Sequence, residues 1–282
     1  MSTALESVPW IHGAPDGTLT DDPLIQVHRL DRDTFILRLS MSYSFEANFL
    51  YLLLAREQAL LLDTGARPDP GAVERGLPLR RLVDHLITGW ATEHGVPEPD
   101  LIVAHTHAHN DHVFGDDQFT DRSRTRVLGL TVAAVSGFFG LPDWPDGEAG
   151  LDLGGRSLTV LPIPGHEPTH IAIYDSRTRA LFTGDMLYPG LLTVSDWSAY
   201  RHSAARLVEF VSRSEVSAVL GSHIEMSRTP GRLYPRGTTY QPDEHPLPLQ
   251  PGRVLELKQA CDAMAQAPLE IRDHFVLRPP LH

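Results

Sequence analysis

The segment Thr106-His107-Ala108-His109-Asn110-Asp111-His112 follows directly on the apolar run Leu101 to Ala104, and this junction is the most constraining feature of the chain. The apolar run reads as a short buried strand. Just past a strand the backbone is still extended, so His107 and His109, two residues apart, point the same way. If the chain then turns into a helix, Asp111 and His112 enter from another side at its first turn. Four donor side chains are thereby packed into six residues at a strand end. Imidazole with carboxylate suits a borderline divalent metal, whereas oxygen-only cages suit calcium or magnesium. Solvated loop histidines or a tag-like tract are the bland alternative, and a buried strand in front with an interior aspartate argues against both.

The rest of the chain supplies strands and helices around that junction. Residues 1–23 read as an irregular arm. Leu24 to Leu30 and Thr34 to Ser40 form a hairpin about Asp31 to Asp33, and Phe49 to Ala55 with Ala59 to Leu62 form a second, buried one. Apolar residues at Leu82, Leu86, Ile87 and Trp90 have helical spacing over Leu79 to His94, which Gly95 to Pro99 terminates. Strands are expected over Arg126 to Leu130, Leu158 to Ile163, Ile171 to Asp175, Ala180 to Phe182 and Val216 to Leu220. Helices are expected over Thr131 to Phe139, Ser203 to Arg213 and Arg253 to Ala265, with loops over 140–150 and 224–250. No linker separates two cores, so residues 24–282 are read as one layered α/β domain with a C-terminal extension from about 224.

Composition removes several classes of function. The balance of 41% hydrophobic and 21% charged residues is ordinary for a globular chain. A net charge of −12 argues against nucleic acid and leaves a small-molecule substrate as the expected partner. The lone Cys261 excludes an internal disulfide and a cysteine-based metal site. Met1 to Gly17 lacks a basic stretch followed by an apolar run, and no apolar stretch is long enough to span a bilayer. The expectation is a cytoplasmic protein without membrane contact.

Taken with four further motifs, the histidine segment resembles the metallo-β-lactamase superfamily, whose metal loop reads His-x-His-x-Asp-His. Asp63 in Leu-Leu-Asp-Thr-Gly, His166 in Pro-Gly-His-Glu-Pro-Thr-His, Asp185 in Phe-Thr-Gly-Asp-Met and His223 in Leu-Gly-Ser-His match its other motifs in order. The resemblance runs from about residue 30 to about residue 225. It implies a four-layer αβ/βα sandwich of two mixed sheets with outer helices. It also implies two divalent metal ions, zinc first, with iron or manganese as alternatives. One ion would take His107, His109 and His166, the other Asp111, His112 and His223, with Asp185 bridging. Asp63 would orient the metal loop, and His170 would hold a ligand or a backbone carbonyl. His105 reads instead as a buried, hydrogen-bonded histidine.

The implied chemistry is attack of a metal-held hydroxide on an ester, lactone or thioester carbonyl, with Asp111 orienting it and taking its proton. Tyr188 matches the position of a lactonase tyrosine that faces the substrate oxygen; a packed wall residue is the equal alternative. Tyr43, Phe45, Trp197 and Tyr200 are candidates for an apolar pocket wall. A small-molecule phosphodiesterase and a mononuclear-iron persulfide dioxygenase are the competing readings. Asp185 and the missing ligand cysteine depart from the β-lactamase site, leaving at most weak activity of that kind. The 224–250 loop is where specificity is expected, unless it wraps the sheets or makes a homodimer contact.

Overall fold

A computed structural model describes residues 5–15, 21–72, 76–263 and 269–278. The first sheet has the order β1 (Ile25–Asp31), β2 (Thr34–Leu39), β3 (Phe49–Leu54), β4 (Gln58–Leu62), β5 (Asp100–Ala104), β6 (Thr125–Val127). Its first four strands run antiparallel as hairpins, and β4, β5 and β6 are parallel. The parallel step from β4 to β5 needs a crossover, which α1 (Leu79–His94) supplies. Gly95, at φ 63°, caps that helix in the left-handed conformation.

Two short helices, α2 (Asn110–Val113) and α3 (Val132–Phe139), precede the second sheet. That sheet contains β7 (Ala149–Asp152), β8 (Ser157–Pro162), β9 (Ile171–Asp175), β10 (Ala180–Gly184), β12 (Ala218–Gly221) and β13 (Pro248–Leu249). β10 and β12 are parallel, joined through α4 (Trp197–Arg213), and the other pairings are antiparallel. β11 (Leu191–Thr193), β14 (Glu270–Ile271) and β15 (Val276–Arg278) form a third, small sheet, and α5 (Gly252–Ala263) is the last helix.

Burial on both faces explains why so many strands are continuous apolar runs. In β4, Leu60 and Leu62 point into the core between the sheets, while Ala59 and Leu61 point toward α1. In the second sheet Ala180 and Phe182 face the shared core, and Leu181 faces α4 and α5. The layers are therefore helix, sheet, sheet, helix, as the resemblance implies. Leu5 and Trp10 of the N-terminal arm are buried in the inter-sheet core, so this part of the arm is packed. No helix among the described residues is long and apolar enough to cross a membrane.

Several boundaries differ from the sequence expectation. α4 begins at Trp197 rather than Ser203, because the Asp196 side chain caps it by accepting from the Ala199 amide at 2.9 Å. β6 ends at Val127, three residues early, and β7 lies where a loop was expected. The small sheet escaped notice because strands of two or three residues have no readable period.

Arg156 ties the two sheets together. It is fully buried, and its guanidinium donates to Asp175 Oδ2 at 2.7 Å, Thr34 Oγ1 at 2.7 Å and the carbonyls of Asp33 and Leu54 at 2.7 and 3.2 Å. Removing one member of a buried pair leaves the other charge uncompensated, at a cost of about 3–5 kcal/mol. Arg156→Ala is therefore expected to lower unfolding free energy by about that amount in chemical denaturation. A loss below about 1 kcal/mol would show that the pair contributes little.

Candidate metal centre

The side chains at issue leave the C-terminal ends of strands that meet along one edge of the sandwich. Asp63 follows β4, His105 to His112 follow β5, His166 lies in the turn between β8 and β9, Asp185 follows β10, and His223 lies two residues past β12. The sheets are stitched together there: the Phe49 amide donates to the Ser222 carbonyl and the Ile171 amide to the Thr106 carbonyl, both at 2.8 Å.

Asp63 organises the loop after β5. Its fully buried carboxylate accepts from the Thr106 amide at 2.7 Å, the Thr106 hydroxyl at 2.9 Å and His112 Nδ1 at 2.9 Å. With Nδ1 spent on Asp63, His112 presents Nε2 to the site. The same logic orients two others. His166 Nδ1 donates to the Thr193 carbonyl at 2.8 Å, and His223 Nδ1 to the Glu46 carbonyl at 2.9 Å, so each aims Nε2 inward.

Two sets of ligand atoms result, each lying within 4.8 Å of one another: His107, His109 and His166 in one, and Asp111, His112, Asp185 and His223 in the other. In the first, His107 Nε2 is 2.9 Å and His166 Nε2 3.0 Å from His109 Nδ1. Asp185 stands between the sets. Its Oδ2 lies 4.0 and 3.6 Å from His107 and His166, and its Oδ1 lies 3.5 and 3.4 Å from His112 and His223.

The fit to cations rests on atoms left without partners. His112 Nε2 and Asp185 Oδ1 are buried and make no hydrogen bond among the described residues, although each points into the ligand cluster. An unsatisfied buried polar atom costs about 1–3 kcal/mol, and divalent ions would satisfy both atoms. Neutral imidazoles and carboxylates are the donor set that suits such ions.

Charge divides the two sets. Burial, reinforced by the surrounding imidazoles, holds His107 well below the ordinary histidine range, so it is a neutral donor. Burial also opposes charge on His223, but Asp185 and Asp111 outweigh it and push the imidazole up to about 10. His112 is raised in the same way, against burial, by Asp111, Asp185 and Asp63. Burial would raise Asp111 and Asp185, yet the facing imidazoles hold both carboxyls well below their usual range.

Other expected residues take supporting places. His170 is fully buried, with Nε2 3.1 Å from the Thr183 carbonyl and its ring 4.7 Å from that of His107; it belongs to neither ligand set. Gly184, at φ 51°, leaves room for it, since a Cβ there would stand 2.6 Å from His170 Nε2 and 2.7 Å from Thr106 Cβ. His105 is buried outside both ligand sets with Nε2 3.2 Å from Asp116, and neither ring nitrogen makes a hydrogen bond among the described residues, contrary to the expected hydrogen-bonded histidine. Tyr188 donates its phenol to the Leu191 carbonyl at 2.8 Å and to Glu225 at 3.0 Å, with its ring 5.5 Å from that of His223.

A cleft of about 400 Å³ opens over both sets, with His109, Asp111, His166, Asp185 and His223 in its floor. Of the four aromatic wall candidates only Phe45 lines it. Tyr43 packs under the first sheet, and Tyr200 is fully buried with Trp197 against it in the core beneath α4, its hydroxyl bonded to the Met186 carbonyl at 2.6 Å. Helical periodicity placed the latter two on the inward face of α4, which is where core residues sit. Glu46 and Arg278 are walls that sequence reasoning missed, whereas Glu225 and the segment Leu233 to Thr238 belong to the 224–250 loop where specificity was expected. The Tyr234 amide ties that segment to the Glu225 carbonyl at 2.8 Å, and farther along the loop Glu244 pairs with the buried Arg38 of β2.

Such a fold and site define a metallo-hydrolase built on two facing mixed sheets. The model of the metallo-beta-lactamase superfamily matches residues 45–268, and the chain belongs to that superfamily as a hydrolase. Among relatives, the human acyl-coenzyme A thioesterase MBLAC2 is 29% identical over 216 residues, 62% of this chain and 72% of that protein. A hydroxyacylglutathione hydrolase of Pseudomonas savastanoi pv. phaseolicola is 30% identical over 174 residues, 58% of this chain and about half (52%) of that enzyme. The DIM-1 metallo-beta-lactamase superposes with a TM-score of 0.53 over 86% of this chain and 99% of that one, at 15% identity, a likeness of fold.

Metal uptake by the chelated protein should carry a proton signature. His223, pushed up to about 10, and the raised His112 are both charged at neutral pH, and a cation must displace their protons. Calorimetric titration in buffers of differing ionisation enthalpy is expected to show about two protons released per chain at neutral pH, with His223's share vanishing as pH passes 10. Uptake without buffer dependence would show that both histidines are already neutral in the metal-free site.

Proposed function

We propose that this chain is a dinuclear, zinc-dependent hydrolase of small-molecule thioesters, esters or lactones, with thioesters the first candidates. One observation carries the reading: a single cleft opens on both ligand sets at once, with Asp185 between them. A carbonyl compound entering it meets the three-histidine set on one side and the Asp111–His112–His223 set on the other. The printed activities of the relatives, acyl-coenzyme A thioesterase and hydroxyacylglutathione hydrolase, favour thioesters among the carbonyl substrates.

Bound divalent ions would supply Lewis acidity and a lowered water pKa. The chain's own residues provide position. Asp111, half-buried in the floor and kept ionised by His112 and His223, can accept a hydrogen from the incoming water and align it on the carbonyl carbon. Asp185 spans the two sets through its separate oxygens and fixes their spacing. Phe45, Leu191, Ile224, Leu233 and Pro235 give a mainly polar cleft an apolar patch on which the carbon chain of a substrate can rest.

A panel of thioesters, lactones, a phosphodiester, a persulfide and a β-lactam tests this reading, alongside metal analysis of the purified protein. Carbonyl-selective turnover with about two zinc ions per chain is expected. A preference for the phosphodiester, or oxygen consumption with the persulfide and one iron, would replace it with those activities.

Tyr188 has one proton, and both the Leu191 carbonyl and Glu225 already compete for it. This supports a packing role at the cleft wall over donation to a developing oxyanion. Tyr188→Phe is expected to retain kcat within about threefold, whereas loss of an oxyanion donor costs about a hundredfold or more.

A further inference from the structure

The small C-terminal sheet brings one guanidinium into the cleft. β11 and β15 pair in parallel, with Leu192 opposite Leu277 and Thr193 opposite Arg278. Leu192 and Leu277 are fully buried in the core under α4. Alternation therefore turns Leu191, Thr193 and Arg278 to the opposite face, and all three line the cleft.

Arg278 differs from the other enclosed arginines of this protein. Arg156 is satisfied by Asp175, and Arg38 by Glu244. Arg236, the other arginine of the cleft, is 85% exposed and lies 3.8 Å from Glu46. Arg278 is half-buried, yet among the described residues its side chain has no carboxylate and no hydrogen-bond acceptor. A partly desolvated charge without a partner is unfavourable in the free protein, and a ligand that supplies the counter-charge removes that cost.

Its place in the cleft gives the interaction a direction. Thr193, beside Arg278, holds His166 through its carbonyl, so Arg278 stands at the end of the three-histidine set. Glu46 stands at the other end, where its carbonyl holds His223, whereas the Glu225 carboxylate accepts from the Leu191 amide at 2.9 Å, two residues before Thr193 on β11. Glu46 repels an anionic group from the His223 end, and Arg278 attracts one to the His166 end. The planar fork of a guanidinium matches a carboxylate or a phosphate bidentately.

We infer that Arg278 anchors an anionic group of the substrate, a carboxylate or a phosphate, at the His166 end of the cleft. The substrate class is thus an anionic thioester or ester. This rests on the carbonyl-hydrolase reading, and its test is built to fail separately from it.

Matched thioesters with one acyl group and a neutral, carboxylate-bearing or phosphate-bearing thiol are compared on the holoenzyme. The quantity read is the ratio of kcat/KM for each anionic form to that for the neutral form. Because the ratio is internal to each variant, partial loss of folded protein cancels. Hydrogen bonds to charged groups are worth about 1.5–3 kcal/mol, so Arg278→Ala is expected to lower the ratio about 10- to 100-fold. Arg278→Lys should retain part of it and Arg278→Glu should drive it below that of Arg278→Ala. The larger ratio in the wild type distinguishes carboxylate from phosphate. A ratio unchanged in Arg278→Ala would overturn the anchor. If the wild type turns over none of the thioesters, the carbonyl-hydrolase reading fails instead. Equilibrium binding of the matching inert thioethers then decides the anchor: tighter binding of an anionic form that Arg278→Ala abolishes supports it, and equal affinities sink it.

Discussion

A single buried carboxylate, Asp63, governs the geometry of the metal centre. It sits at the end of β4, at φ 68°, and gathers a backbone amide, a hydroxyl and an imidazole from the loop that follows β5. Those three donors satisfy a charge that would otherwise be costly in the interior. In return, Thr106 is fixed next to His107, and His112 is left with one free nitrogen aimed at Asp185. The Asp63 backbone amide also donates to the Ala104 carbonyl at 2.8 Å, which continues the β4–β5 pairing up to the ligand loop. The site is thus an extension of the sheet rather than an attachment to it.

The layered core makes that arrangement stiff. Each sheet is covered on its outer face by helices and shares its inner face with the other, so the strand ends cannot move independently. Arg156 and Arg38 show how this protein treats internal charge: each meets a carboxylate brought from elsewhere in the chain. Arg156, paired with Asp175 in the second sheet, also reaches Asp33, Thr34 and Leu54 of the first, and the Arg38–Glu244 pair ties the 224–250 segment to β2. Against that rule an arginine facing the cleft without a carboxylate stands out.

Much of the fold was legible in the sequence. Strands buried on both faces are long apolar runs, and α1 shows clear periodicity ended by a glycine, so β1 to β5 and α1 fall within a residue or two of expectation. Elements defined by pairing alone were not legible. β7, β11, β14 and β15 are two to four residues long and exist because a neighbouring strand offers hydrogen bonds, a fact no local window contains. Tyr200 and Trp197 illustrate the converse error: aromatic character near an expected ligand suggested a pocket, while helical phase had already turned them inward.

The sequence alone points to the candidate ligands: the spacing of His107 to His112 suggests a metal, and the resemblance, through five motifs in order, adds His166, Asp185 and His223. The sequence also carries the order of the main strands, since burial on two faces demands runs of apolar residues. Only the tertiary structure decides what surrounds the ligands. Glu46, Glu225 and Arg278 come from three distant parts of the chain and lie in ordinary sequence surroundings, so their convergence on one cleft is a product of packing. The same holds for Tyr188, whose position suggests chemistry but whose proton is already engaged by neighbours that folding brings to it. Candidate ligands are marked by residue type within short motifs; the shape and polarity of the cleft are long-range properties.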